Sequence, residues 1–160
     1  MPGKLQAEIG QTRPFALIEE EANLNIIRTA EVLQRAITDF LRPFDLSPVQ
    51  YNVLRILRGA ETIGATCSQI GERLVTRDPD ITRLLDRMEA RDLIVRERSS
   101  EDRRMVIARI SKAGRTLVDS IDEPLRAMTK AKMGKFGRGA LAELIASLER
   151  VREAYEEKAV

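Results

Sequence analysis

Residues 66–111 read TCSQIGERLVTRDPDITRLLDRMEARDLIVRERSSEDRRMVIARIS. Thr66 and Gln69 stand at capping-box spacing. The hydroxyl takes one orphan N–H at a helix start while the amide reaches back to the cap residue's own N–H. A short helix with Ile70 and Leu74 inside follows, then a turn through Thr76 and Arg77. Asp78-Pro79 again places a cap residue before a proline at the first helical position. In the next helix Ile81, Leu84, Leu85 and Met88 fall at i, i+3, i+4 and i+7, which makes one apolar face. From Leu93 the reading changes to strands. Residues 93–98 and 104–110 are β-like, with Leu93, Val95, Val106, Ala108 and Ile110 expected inward and the polar turn SSEDR between them. Two capped helices followed by a hairpin make a helix–turn–helix with a wing, a layout suited to duplex DNA.

Upstream, Phe15, Ile18, Ala22, Ile26, Leu33, Ile37, Phe40 and Leu41 recur at steps of about three and four, which predicts one long amphipathic helix from Pro14 to Arg42. Pro43 stops it. Ser47-Pro48 opens a second helix that carries Val49, Val53, Leu54 and Leu57 and ends at Gly59. Residues 60–65 read as a loop with a short edge strand. Downstream, Ser111 can cap a helix carrying Leu117, Ile121, Leu125 and Met128, which Pro124 is expected to bend or interrupt. Gly134, Gly137 and Gly139 make a hinge-like turn before a last helix with Leu141, Leu144, Ile145, Leu148, Val151 and Tyr155. The helical ends carry more apolar stripe than one chain of this size easily hides, so a helical dimer interface is expected. The fold class is therefore mainly α with a small β-hairpin wing. A winged helix–turn–helix core over residues 46–111 is flanked by dimerisation helices at 1–45 and 112–160.

Composition narrows the function. The chain has 160 residues, 32% charged and 43% hydrophobic, which fits a soluble globular protein with a real core. It has no His, which removes His-based metal sites and Ser–His triads. No Gly-rich phosphate loop appears, and no cofactor, metal or catalytic residue is expected. The single Cys excludes an intrachain disulfide and fits a reducing cytoplasm. No apolar run approaches the roughly 18 residues of a membrane span, and the N-terminus lacks a signal core. Net charge is only +2, but residues 70–115 carry twelve cations, eleven of them Arg, against nine acids. Arg is the better fork for phosphates and guanine edges.

Several residues become candidates for DNA contact. On the helix from residue 81, Thr82, Arg83, Asp86 and Arg87 remain outward once the apolar face is committed, and Arg83 and Arg87 share a side. The plain alternative is a surface helix whose Arg and Asp residues pair with each other. In the hairpin turn, Asp102 can brace one of Arg103 and Arg104 while the other enters a narrow minor groove. Backbone N–H groups at Cys67, Ser68 and Gln69 can hold a phosphate, with Ser68, Gln69 and Arg77 adding side-chain donors. Cys67 at a helix N-terminus is also a candidate redox site, against the plainer reading of a small half-buried residue.

Residues 66–74 (TCSQIGERL), 81–104 (ITRLLDRMEARDLIVRERSSEDRR) and 110–117 (ISKAGRTL) together resemble the multiple antibiotic resistance regulator (MarR) family of winged-helix repressors. The resemblance runs over nearly the whole chain. It implies a homodimer that binds double-stranded, pseudo-palindromic DNA and is released by a phenolic or other small aromatic ligand. It places Thr82, Arg83 and Arg87 in the recognition helix, and it makes Asp102 the brace for Arg104 in the minor groove. Tyr51 and Arg55 on the second helix are the ligand candidates it suggests. Asp92 stands where the family often has Gly, so an altered turn is expected there. Asp78 and Asp80 put acids at the start of the reading helix, where they would repel phosphates or select cytosine amino groups. The family's peroxide sensors use a Cys in the first helix; here the Cys lies elsewhere, so that chemistry does not carry over. The alternatives are a winged helix kept for protein–protein contact and a redox-responsive regulator acting through Cys67.

Overall fold

The computed structural model describes residues 3–78, 80–99 and 102–156. The chain divides into two compact units, Met1–Gly114 and Arg115–Val160. No helix among the described residues is long and apolar enough to cross a membrane.

The first unit opens with a five-residue helix, α1 (Lys4–Glu8), which buries Leu5 and was not anticipated. The long helix α2 runs over Ile18–Leu41, four residues shorter at its start than the spacing predicts. Glu19, Glu20 and Glu21 explain the start: three acids in the first turn suit the positive end of the helix dipole. Phe15 therefore precedes the helix. A 3₁₀ turn, Arg42–Phe44, contains Pro43 and ends at Asp45 in the left-handed region (φ 52°). Helix α3 (Pro48–Gly59) starts at a complete capping box. Ser47 N–H donates to Gln50 Oε1 at 2.9 Å, and Gln50 N–H donates to Ser47 Oγ at 3.2 Å. Val53, Leu54, Ile56 and Leu57 of α3 are buried, and α3 packs on α2, on α4 (Cys67–Arg73) and on the second strand of the hairpin.

The hairpin pairs β1 (Ile94–Arg98) with β2 (Val106–Ile110) in antiparallel register, Ile94 opposite Ile110 and Arg96 opposite Ala108. Ala65 adds a bridge to Ala108, which is the short edge strand expected in residues 60–65. Gly64 makes that approach possible. Its φ is +72°, and a Cβ there would lie 2.7 Å from the carbonyl oxygen of Ala108. The inward side of β1 differs from expectation. Ile94 is buried and Val95 is half exposed. Leu93 is buried too, but it belongs to the preceding turn, where its N–H bonds Met88 O at 3.0 Å. The alternation therefore starts one residue later than the hydrophobic pattern suggests, and every β1 side chain changes face.

Helix α6 (Lys112–Met133) is capped by Ser111, whose Oγ accepts from Gly114 N–H at 2.9 Å. The unit boundary falls in its first turn. In the second unit α6 runs through Pro124 without interruption, and Val118 and Ile121 are fully buried. A 3₁₀ turn, Gly134–Phe136, leads to α7 (Gly137–Glu156), with Gly137 at φ +76° supplying the hinge that the glycines suggested. Helix α7 has no buried residue.

Candidate nucleic-acid interface

Helix α4 begins at the Thr66–Gln69 capping box read from the sequence. Thr66 N–H donates to Gln69 Oε1 at 2.9 Å, and Gln69 N–H donates to Thr66 Oγ1 at 3.3 Å. This commits both the amide oxygen and the main-chain donor of Gln69. Ser68 Oγ donates to Glu72 Oε1 at 3.2 Å on the exposed side. Cys67 is a free, half-buried thiol at the first position of α4. The turn after α4 is held from two sides: Val75 N–H donates to Asn52 Oδ1 at 2.9 Å, and Gln34 Nε2 donates to Thr76 Oγ1 at 3.2 Å. Arg77 in this turn is exposed.

Helix α5 (Ile81–Glu89) follows. Its cap is Asp80 and not Asp78: the Asp80 carboxylate accepts from Arg83 N–H at 3.2 Å. Asp78 instead accepts from Asp80 N–H at 2.8 Å, an Asx-type turn that sets the cap two residues later. Pro79 lies outside the described residues. Leu84, Leu85 and Met88 are buried, and Ile81 is half-buried. Thr82, Arg83, Asp86 and Arg87 face solvent. Both aspartates at the helix start are thus occupied locally, and Asp80 also pairs with Arg83 Nε at 3.2 Å. Arg87 has no ion pair or hydrogen bond among the described residues.

Arg96 is the buried-side charge beside α5 that sequence reasoning missed. It lies on the inward side of β1, its side chain 21% exposed. Its main-chain N–H donates to Glu89 Oε1 at 2.9 Å and its Nε to Glu89 Oε2 at 2.9 Å. Its Nη2 reaches Glu89 Oε2 at 2.7 Å and Asp86 Oδ1 at 2.5 Å. The hydrogen bond to Glu89 first, and that to Asp86 after it, hold the guanidinium pKa above its ordinary value against the opposing effect of burial. A cation two residues after Ile94, with acids at 86 and 89 on the preceding helix, was the available signal.

In the wing, Asp102, Arg103 and Arg104 are all exposed. Asp102 does brace Arg104, but through the main chain: its Oδ1 accepts from Arg104 N–H at 2.9 Å. Both guanidinium groups stay free among the described residues. Ser100 and Glu101 lie outside the described residues. Arg98, at the end of β1, adds another exposed cation that the sequence did not single out. At the wing's base Arg109 Nε donates to Glu97 Oε1 at 2.7 Å and its Nη1 to Thr62 O at 2.6 Å, tying the edge loop to the hairpin. On α3, the Arg55 guanidinium lies 5.9 Å from the ring centre of the buried Tyr51.

A family model described as MarR family matches residues 44–105, the span from α3 to the hairpin turn. Over more of the chain, the crystal structure of a MarR transcription factor from Planctomyces limnophilus is similar: 34% identical, covering 88% of this chain and 98% of that one, with a TM-score of 0.64. The chain belongs to the MarR family. It is a MarR-family transcription regulator and not an enzyme. The HTH-type transcriptional regulator FarR of Neisseria gonorrhoeae is 25% identical over 82% of this chain and 91% of its own length. The S. aureus MepR–DNA complex holds a chain of the same fold, with a TM-score of 0.72 at 18% identity over 82% of this chain and 94% of that one.

Asp92, where the resemblance leads one to expect Gly, adopts a conformation that Gly takes readily. It takes the left-handed region itself, at φ 55°, which Asp tolerates better than most residues. Its N–H bonds Glu89 O at 2.9 Å, and its carbonyl accepts from Ser111 Oγ.

Proposed function

We propose that this MarR-family regulator is a homodimeric repressor that lays α5 in the major groove of a pseudo-palindromic operator. The observation that carries the reading is the division of α5. Leu84, Leu85 and Met88 are spent on the core, while Thr82, Arg83 and Arg87 stand outward with Asp86 drawn aside by Arg96. Arg87, free of partners among the described residues, takes the guanine-edge role. Arg83, steadied by Asp80, takes a phosphate or a second base, with Thr82 beside it. Arg104, with its main chain held by Asp102, enters the minor groove. Arg103, Arg77, Ser68 and Gln69 set the register on phosphates.

Dimerisation is supported by what the chain leaves uncovered. Ile18, Ile27, Val32 and Leu33 of α2 are exposed, and Leu41 is the one buried residue of that helix. Leu144, Ile145 and Tyr155 of α7 are exposed as well. Residues 1–45 and 112–160 accordingly serve the dimer, and 46–111 read DNA. Release by a small aromatic acid would use Arg55 against the Tyr51 ring on α3, where a guanidinium already lies over an aromatic face. Footprinting on the chain's own upstream region tests the reading. Two protected half-sites about 10 bp apart, centre to centre, are expected. Protection of a single half-site, or of none, counts against a dimeric operator reader.

A further inference from the structure

Asp86 sits in the middle of the outward face of α5, between Arg83 and Arg87, and its side chain is 53% exposed. A bare carboxylate there opposes phosphates. It could also pull Arg83, three residues back on the same helix, away from DNA. Its observed partner lies in neither direction. It is Arg96, which comes from β1, ten residues on, and holds Glu89 with the same fork. The planar guanidinium suits this double task, since one nitrogen bridges two carboxylates while a second nitrogen fixes the orientation. Arg96 itself does not face the groove. Its side chain is mostly covered, opposite Ala108 on the inward side of the hairpin.

We propose that Arg96 is a positioning residue for DNA binding: it takes Asp86 off the reading face and locks the wing to the reading helix through Asp86 and Glu89. The inference rests on α5 reading DNA. It explains why an acid is compatible with the middle of a cationic face. Asp86 is engaged by a cation from behind, so it draws less on Arg83 and Arg87 at the groove side, where Asp80 still pairs with Arg83. With Arg96 removed, a carboxylate several ångströms from phosphates at surface dielectric costs about tenfold in affinity.

The test is a double-mutant cycle on operator DNA with Arg96→Met and Asp86→Asn, alongside thermal melting of each protein. Wild type comes first: if it fails to bind DNA selectively, the DNA-reading assignment fails, and the cycle is not what decides it. If wild type binds, Arg96→Met is expected to lose about tenfold. Asp86→Asn alone is expected to stay within about threefold of wild type, since Arg96 already holds its carboxylate away from the DNA side. The double variant is expected to recover most of the affinity while keeping the lowered melting temperature of Arg96→Met. A merely structural role would move melting and affinity together and give no recovery. Arg96→Lys loses the fork, so its melting temperature should fall; it keeps the charge beside Asp86, so its affinity should stay within about threefold of wild type. If Arg96→Met does not fold, Asp86→Asn and Arg96→Lys still decide. A tenfold loss in Asp86→Asn would mean that the carboxylate itself contacts DNA, and a tenfold loss in Arg96→Lys would mean that charge is not what Arg96 supplies. Either result overturns the proposal.

Discussion

Replacing Gly114 with Ala sets two well-known effects against each other, and the structure decides the sign. Gly114 is the third residue of α6, so Ala should stabilise the helix by roughly 0.5–1 kcal/mol on propensity alone. A Cβ at this position, however, would lie 2.1 Å from the carbonyl oxygen of Leu93 and 3.2 Å from Ile110 Cγ1. The helix or the turn at Leu93 must move by about an ångström to reach ordinary contact. Neither is loose. Leu93 O accepts from Ser111 N–H at 3.1 Å, and Leu93 and Ile94 are 6% and 1% exposed. Overpacking of this kind costs about 1–3 kcal/mol, and a weakened hydrogen bond adds about 1. The net expectation is a loss of about 1–3 kcal/mol, a fall of roughly 3–10 °C in melting temperature for a chain of this size. Calorimetry at fixed protein concentration reads it, with Gly139→Ala as the control. A Cβ at Gly139 meets nothing within 4 Å, so that variant should melt at or slightly above wild type. A Gly114→Ala protein that melts higher than wild type refutes the close approach of the start of α6 to the turn at Leu93.

Three further outcomes follow from the same structure. Asp92→Gly should raise stability by about 0.5–1 kcal/mol, because it relieves a left-handed residue at φ 55°; a lower melting temperature would mean that the carboxylate does something its backbone geometry does not reveal. Leu33→Glu combined with Ile145→Glu should halve the sedimenting mass, since both side chains are exposed apolar groups on the helices assigned to the dimer; an unchanged mass moves the interface elsewhere. Arg104→Ala should weaken operator binding by about tenfold or more while melting as wild type does; unchanged binding removes the wing from the DNA contact.

The sequence was most legible where local chemistry and tertiary packing agree. The Thr66–Gln69 box, the Ser47-Pro48 start and the Leu84, Leu85 and Met88 spacing each state their structure, and each is found as read. The departures have particular causes. Asp78 looks like a cap because a proline follows it, yet its carboxylate closes a turn onto Asp80 N–H and leaves the cap to Asp80. Val95 looks inward because it is apolar, yet the turn at Leu93 shifts the alternation and hands the inward place to Arg96. An inward Arg is invisible to a hydrophobic count. Only its acids, Asp86 and Glu89 on a different element, make the position tolerable. Helix α1 is too short for periodicity to register, since five residues hold one buried position, Leu5.

The central claim, that α5 reads DNA through Arg87, is tested most directly by titrating wild type and Arg87→Ala into labelled DNA from the chain's own upstream region, with scrambled DNA beside it, across a salt series. The expected result is tight, sequence-selective wild-type binding that weakens steeply with salt. Arg87→Ala should lose roughly 5–150-fold on the operator and little on scrambled DNA. Binding that ignores sequence, or an Arg87→Ala protein that still tells operator from scrambled DNA as wild type does, contradicts it.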